Sequence, residues 1–160
     1  MMKSLLVLGF VTGLTGCAAG VDRAAQLDDI REATFRYLFV KNASGLQQHA
    51  QVYFLSVIDP ATRKRRDSPV EFMARFATNT PRVADASAAN SSVPTGVQDK
   101  QTGERGLIFH LGGIRWISDT EVEVDGGYFE ASESAAGSTY FLTKKDGRWI
   151  VEREEMHWIK

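Results

Sequence analysis

The 160-residue sequence has a single cysteine, three histidines and four prolines. One thiol cannot close an internal disulfide or build a cysteine-rich metal site. His49, His110 and His157 show no metal-ligand spacing of the HExxH kind. Neither charge dominates: 19 Lys and Arg stand against 20 Asp and Glu, for a net charge of −1. A dedicated nucleic-acid binder is usually basic, so no nucleic-acid partner is expected. No apolar run reaches the roughly 20 residues a membrane-spanning helix needs. There is no G-x-S-x-G nucleophile motif. Gly112-Gly113 and Gly126-Gly127 neither precede Lys-Ser/Thr nor open a helix, so they are not phosphate loops. Repeats and low-complexity stretches are also absent. What is present is 43% apolar and 24% charged residues, the make-up of one ordinary globular domain. Nothing implies a cofactor.

The N-terminus carries the sharpest signal. Lys3 gives a positive start, and Leu5 to Leu14 is a short apolar run of the length found in secretory signals. It ends in Leu14-Thr15-Gly16-Cys17, and Cys17 is the only cysteine of the chain. This resembles the lipobox of bacterial lipoprotein signal peptides. The resemblance implies that Cys17 is lipidated and becomes the first mature residue. It divides the chain into a signal peptide (1–16), a lipidated cysteine with a short tether (17–26) and one domain (27–160). Two or more acyl chains give stable anchoring, so the implied partner is a membrane and the implied location the cell envelope. Ala18, rather than Asp, after the cysteine implies outer-membrane sorting in a Gram-negative host.

Within the domain, Leu27, Ile30, Thr34, Tyr37 and Leu38 recur at helical spacing, with Phe35 and Phe39 widening the apolar face, so a helix is expected over 28–41. Asp29 and Glu32 suggest a capping box, and Asn42 to Gly45 a stop. Residues 51–58 read as a strand. Ser68-Pro69-Val70-Glu71 reads as a second helix start, running to Ala77. A short strand is expected over 82–86, then a mobile loop over 87–92. The last third is strand-rich. Strands are expected at 106–118, where Gly112-Gly113 allows a bend or bulge, and at 121–125, where Gly126-Gly127 permits a kink before the strand resumes over 128–131. Residues 133–137 read as a loop. Strands 138–144 and 148–153 are joined by Lys145-Asp146-Gly147, a hairpin signal, and 156–160 extends the last one. The fold class is α+β: a curved antiparallel sheet covered by two N-terminal helices. Residues 106–160, with the Lys145-Asp146-Gly147-Arg148-Trp149 turn, resemble NTF2-like and cystatin-like domains. That resemblance implies a cone of sheet wrapped on helix. The third N-terminal helix usual in the family is not evident.

Candidate chemistry is sparse. His110 points away from the face of Leu107, Phe109 and Leu111, and His157 opposes Met156 and Trp158. Either is a structural histidine or a general base in a cavity. Glu121, Glu123 and Asp125 form a polar strand face, and Glu152, Glu154 and Glu155 lie on the last strand. NTF2-like enzymes such as ketosteroid isomerase and scytalone dehydratase place Asp, Tyr or His inside the cone. No residue here matches those motifs, so no catalytic residue is assigned. The basic run Arg63, Lys64, Arg65 and Arg66 could touch an anionic lipid surface, or be a solvated loop paired with Asp59 and Asp67. Trp116, Trp149, Trp158, Tyr37, Phe39, Tyr53, Phe54, Phe109, Tyr128 and Tyr140 read as core, with a subset able to line an apolar ligand pocket. The expected function is a membrane-anchored envelope lipoprotein with a non-enzymatic domain that binds a small ligand or an envelope protein. The alternative is a cone-cavity enzyme of the isomerase, dehydratase or hydrolase type.

Overall fold

The first long element is set by its apolar face. The computed structural model describes residues 22–46, 49–59, 61–92 and 96–160. Helix α1 (Leu27–Val40) buries Ile30, Thr34, Phe35, Leu38 and Phe39, the side chains that the 3.6-residue spacing selects. Thr34 satisfies its hydroxyl by donating to the Ile30 carbonyl at 2.8 Å. The expected capping box does not form. The helix starts at Leu27, so Asp29 lies inside its first turn and not at the cap; Asp29 and Glu32 both accept from the Arg75 guanidinium, at 2.7 and 2.9 Å. One 3₁₀ turn precedes the helix, and there Asp22 accepts from the Ala24 and Ala25 amides. Residues of the stretch expected as tether already contact the domain. Arg23 lies over the Trp116 ring, and buried Gln26 accepts from Lys144 at 2.6 Å. At the far end the Asn42 side-chain amide donates to the Leu38 carbonyl, where the stop was expected.

The second helix is a single short turn, α2 (Val70–Ala74), not a helix to Ala77. Ser68 gives no cap bond, and Pro69 occupies the cap position with extended backbone. Phe72 and Phe76 still reach the core. One N-terminal helix, rather than two, covers the sheet.

The strands are β1 (Val52–Ile58), β2 (Arg65–Arg66), β3 (Arg82–Asp85), β4 (Ala89–Asn90), β5 (Gln98–Asp99), β6 (Gly106–Trp116), β7 (Glu121–Ala131), β8 (Ser134–Lys145) and β9 (Arg148–Ile159). The main sheet is ordered β2-β1-β6-β7-β8-β9, with β3 also on β1. It is mixed, which corrects the expectation of an antiparallel sheet: β1 runs parallel to both β3 and β6. The chain between β1 and β6 is long enough for the crossover that parallel pairing requires. From β6 to β9 the sheet is an antiparallel meander.

The helix-facing side is packed with aromatic rings. Phe39 and Tyr53 approach Phe109 at 5.4 and 5.1 Å between centroids, and Tyr37 meets Tyr140 edge-on at 5.7 Å. Trp116 and Trp149 pack at 5.6 Å further along the same side. A second, smaller core lies on the other face of the sheet, where Ala89 and Val97 cover Val52, Phe54 and Ile108. The stretch expected as a mobile loop supplies this cover. Residues 86–88 form a 3₁₀ turn, and β4 pairs with β5. Small alanines there let the chain lie close to the sheet, so their polar, loop-like composition misleads.

Glycines shape the sheet at defined points. Gly112 and Gly113 together oppose Asp125, the β-bulge expected at that pair. Strand β7 runs through Gly126-Gly127 without a break in its pairing. Its glycines serve close approach, since a Cβ on Gly126 would sit 2.8 Å from Leu111 Cδ2. Strand β8 starts at Ser134, so 133–137 is mostly strand rather than loop. The β8–β9 turn holds Asp146 at φ 49° and Gly147 at φ 77°, the positive angles of a tight hairpin.

Candidate functional site

Alternation along each strand sends one set of side chains toward α1 and the other to the opposite, outer face. On that outer face a register row runs Ser56, His110, Gly127, Gly137, Trp158 across β1, β6, β7, β8 and β9. The two central glycines leave a shelf without side chains. The Trp158 indole is seated on it, and a Cβ at Gly137 would lie within 3.0 Å of three indole atoms. Trp158 nonetheless remains 48% exposed. It was expected in the core, so this is a correction: the indole is a surface platform backed by glycine.

The next row places Asp125 on β7 opposite Thr139 on β8. Thr139 Oγ1 is 2.9 Å from Asp125 Oδ1 and 2.8 Å from His157 Nε2. An ionised carboxylate only accepts, so the hydroxyl donates to Asp125 and accepts from His157 Nε2–H. That leaves the Nδ1 lone pair of His157 uncommitted in this chain of bonds. His157 reaches this face, beside Trp158, because a β-bulge shifts the β8–β9 register between Gly137 and Ser138. Without the bulge, adjacent residues would point to opposite faces, as the sequence pattern suggested.

His110 forms part of the floor. Burial lowers its pKa to about 4, and the nearby Arg65 charge acts in the same direction, so the imidazole is neutral at pH 7. Its Nδ1 and the Ser56 hydroxyl, which is 0% exposed, have no hydrogen-bond partner among the described residues. Two unpaired polar atoms in one row are unusual in a folded interior. His110, Asp125, His157 and Trp158, with Arg63, Ile58 and the Gly112-Gly113 bulge, line a pocket of about 560 Å³. The two histidines thus share one pocket, on the outer face rather than inside a helix-covered cone.

The bulge also walls a second pocket of about 440 Å³, between the start of α1 and Phe72. Most of its charges are paired with one another, Arg31 with Asp28 at 3.0 Å and Arg66 with Asp59 at 2.7 Å.

The basic run is a structured turn. Asp59 accepts from the Ala61 and Thr62 amides and the Thr62 hydroxyl, and Arg63 holds φ 58°. Those bonds, with Arg66, keep the Asp59 carboxyl below the usual carboxylate range. Arg63, Lys64, Arg65 and Arg66 are all exposed. Only part of the expected loop pairing is found: Arg66 pairs with Asp59, while Asp67 accepts from the Ser87 amide at 3.2 Å. Arg63 lines the outer-face pocket.

Four of the strand carboxylates have structural partners. Glu123 pairs with Arg115, Glu152 with Lys145 and Glu155 with Arg153. Glu154 accepts from Ser138 at 2.7 Å and from Tyr37 at 3.4 Å. Among the described residues no three His, Cys, Asp or Glu are grouped to hold a metal ion, and no helix is long and apolar enough to cross a membrane. Cys17 lies outside the described residues. Sequence reasoning passed over Thr139 and Gly137. Their signal was the position of small residues across the hairpin from Trp158, hidden by the bulges. Comparison with protein-family models, curated proteins and solved structures finds no match.

Proposed function

We propose that the protein is a lipid-anchored envelope protein whose domain binds a small ligand, without catalysis, in the outer-face pocket. One observation carries the binding reading. In the pocket beside α1 the arginines Arg31 and Arg66 are paired with Asp28 and Asp59, whereas the outer face keeps a pocket of about 560 Å³ floored by glycine and walled by Trp158. That volume falls within the range of roughly 300–1,000 Å³ typical of small-molecule sites. The anchoring reading is supported by the lipobox resemblance at Leu14-Thr15-Gly16-Cys17, and with Ala18 it extends to the outer membrane of a Gram-negative host. A helix lying against a bulged sheet supports the kinship with cystatin-like and NTF2-like cones. The turn bearing Arg63, Lys64, Arg65 and Arg66 meets the anionic membrane surface in this reading, with an envelope protein as the other candidate partner.

The test has two parts. Native mass spectrometry of the protein isolated from its own host's envelope should show a bound small molecule. Cys17→Ala should move the protein from the membrane to the soluble fraction. A ligand-free wild type would remove the binding reading, and membrane retention of the variant in high salt would remove the anchor.

The hydrogen-bonded chain Asp125–Thr139–His157 favours a second reading, an enzyme of the isomerase, dehydratase or hydrolase type. Its base would be His157 Nδ1. Turnover of the bound molecule, lost in His157→Gln with binding retained, would select this reading over simple binding.

A further inference from the structure

We infer that the outer-face pocket is a saccharide site, in which a pyranose ring stacks its C–H face on the exposed side of Trp158 and its hydroxyls bond Asp125, His157 and Arg63. The inference rests on the reading that this pocket is the ligand site, and adds the class of ligand.

Three features of the pocket narrow the chemistry. The first is the platform. The Nε1, Cε2 and Cζ2 atoms of the Trp158 indole rest against Gly137, and the residue stays 48% exposed at the pocket, an apolar ring surface open to a ligand. Its orientation is set before any ligand arrives, so little ordering is needed on binding. The second is the mixture of polar groups. Asp125 only accepts, His157 Nδ1 has a lone pair, and Arg63 only donates. Asp125 Oδ1 is engaged by Thr139, while Oδ2 faces the Gly113 wall of the pocket, 3.9 Å from where a Gly113 Cβ would lie. A ligand meeting all of these must carry groups that donate and accept, and a hydroxyl does both. The third is the balance of charge. Asp125 disfavours an anion held deep in the pocket, whereas Arg63, with Arg65 near His110, disfavours a cation. A purely apolar ligand would strand the Asp125 carboxylate, at the desolvation cost of an unpaired charge. A neutral polyhydroxylated ring with one apolar face meets all three conditions.

The test uses the full chain, extracted from membranes in a detergent without a sugar headgroup. It is applied to an array of neutral, N-acetylated and acidic pyranose oligosaccharides. Binding is then measured by fluorescence titration with the same sugars in free form. Trp116 and Trp149 pack on the helix-facing side, so the ligand-dependent signal should come from Trp158. At least one glycan should bind saturably. Trp158→Ala should weaken it about tenfold or more, while Trp158→Phe, which keeps a ring, should lose less. Asp125→Asn should weaken it with the platform intact. The inference is overturned if the folded wild type retains no glycan, or if binding survives Trp158→Ala unchanged. A non-saccharide molecule that co-purifies with the wild type and is lost in Trp158→Ala would overturn the sugar class and leave the pocket reading standing. No glycan binding together with no co-purifying molecule would overturn both.

Discussion

Protonation of His110 should set the acid limit of stability more than any other histidine. The folded chain holds this imidazole neutral, with its pKa lowered from 6.5 to about 4 by burial and by the Arg65 charge. The unfolded chain exposes it and binds a proton first as pH falls below about 6.5. Stability contributed by the neutral folded form is therefore complete above pH 6.5 and decreases until the folded protein also protonates, near pH 4. At about 1.4 kcal/mol per pH unit, the loss from this one group is about 1 kcal/mol between pH 7.5 and 5.5, and about 2–3 kcal/mol by pH 4.5. The perturbation is His110→Gln, which keeps a polar side chain and removes the titration. Urea unfolding followed by tryptophan fluorescence at pH 7.5, 6.5, 5.5 and 4.5 gives the two stability curves. Asp59, Asp99 and Glu104, whose folded pKa values are lowered, and Asp85, whose pKa is raised by burial, titrate in both proteins and cancel in the difference. Asp125, Arg63 and His157, the other charged or titratable residues lining the pocket, are likewise common to both. The wild type should lose stability relative to the variant, steepening below pH 6. Curves that stay parallel within about 0.5 kcal/mol over this range would refute the claim that His110 is held neutral by its surroundings.

Three further outcomes follow from the packing. Phe109→Ala removes a fully buried ring that contacts Phe39 and Tyr53. It should cost about 3–5 kcal/mol by chemical denaturation, and a cost under 1 kcal/mol would mean the helix-facing core is looser than described. Gly137→Ala should push the Trp158 indole off its shelf, seen as a red-shifted emission that Trp158→Phe abolishes, while Ser138→Ala leaves the spectrum unchanged. Replacing Arg63, Lys64, Arg65 and Arg66 together by Gln should weaken binding of the non-lipidated chain to phosphatidylglycerol vesicles at low salt. Each residue near the surface is worth up to about 1 kcal/mol, and unchanged binding would remove the membrane-contact role of this turn.

Local periodicity carried as much of the fold as local rules can. The buried stripe of α1 follows from Ile30, Thr34 and Leu38 with the adjacent Phe35 and Phe39, because a helix repeats its face within the chain itself. The Asp146-Gly147 hairpin and the Gly112-Gly113 bulge were also legible, since each depends on backbone freedom at named residues. Pairing partners are a different kind of information. The run Val52 to Ile58 reads as a strand in either direction, so its parallel placement beside β6 depends on where the crossover lands and not on its composition. The cover over Val52 and Phe54 was read as loop for a related reason. Ala86, Ala88 and Ala89 make no strand or amphipathic pattern in the sequence, and their place is set by the surface they cover.

The pocket was hidden by an arithmetic of bulges. Counting back evenly from the Lys145–Arg148 pair would place Gly137 opposite Met156. Two register shifts along β8 and β9 place it opposite Trp158 instead. Each shift moves every later side chain of β9 by one position relative to β8, and one extra residue exchanges the faces. The shift beside Ser138 turns His157 toward Thr139 and leaves the indole on the glycine shelf. The residues of the pocket therefore carry no joint pattern in the sequence. His110, Asp125, Thr139, His157 and Trp158 become neighbours because β9 carries one more residue than β8 at each irregularity. Deleting Glu152, the residue unpaired in the register between Val151 and Arg153 at the other shift, closes that bulge and leaves every later pair in place. The variant should therefore keep both the β-rich circular dichroism and the Trp158-dependent fluorescence response of the wild type. A variant that folds and no longer responds through Trp158 would show that the pocket depends on the bulge itself and not on the pairing register alone.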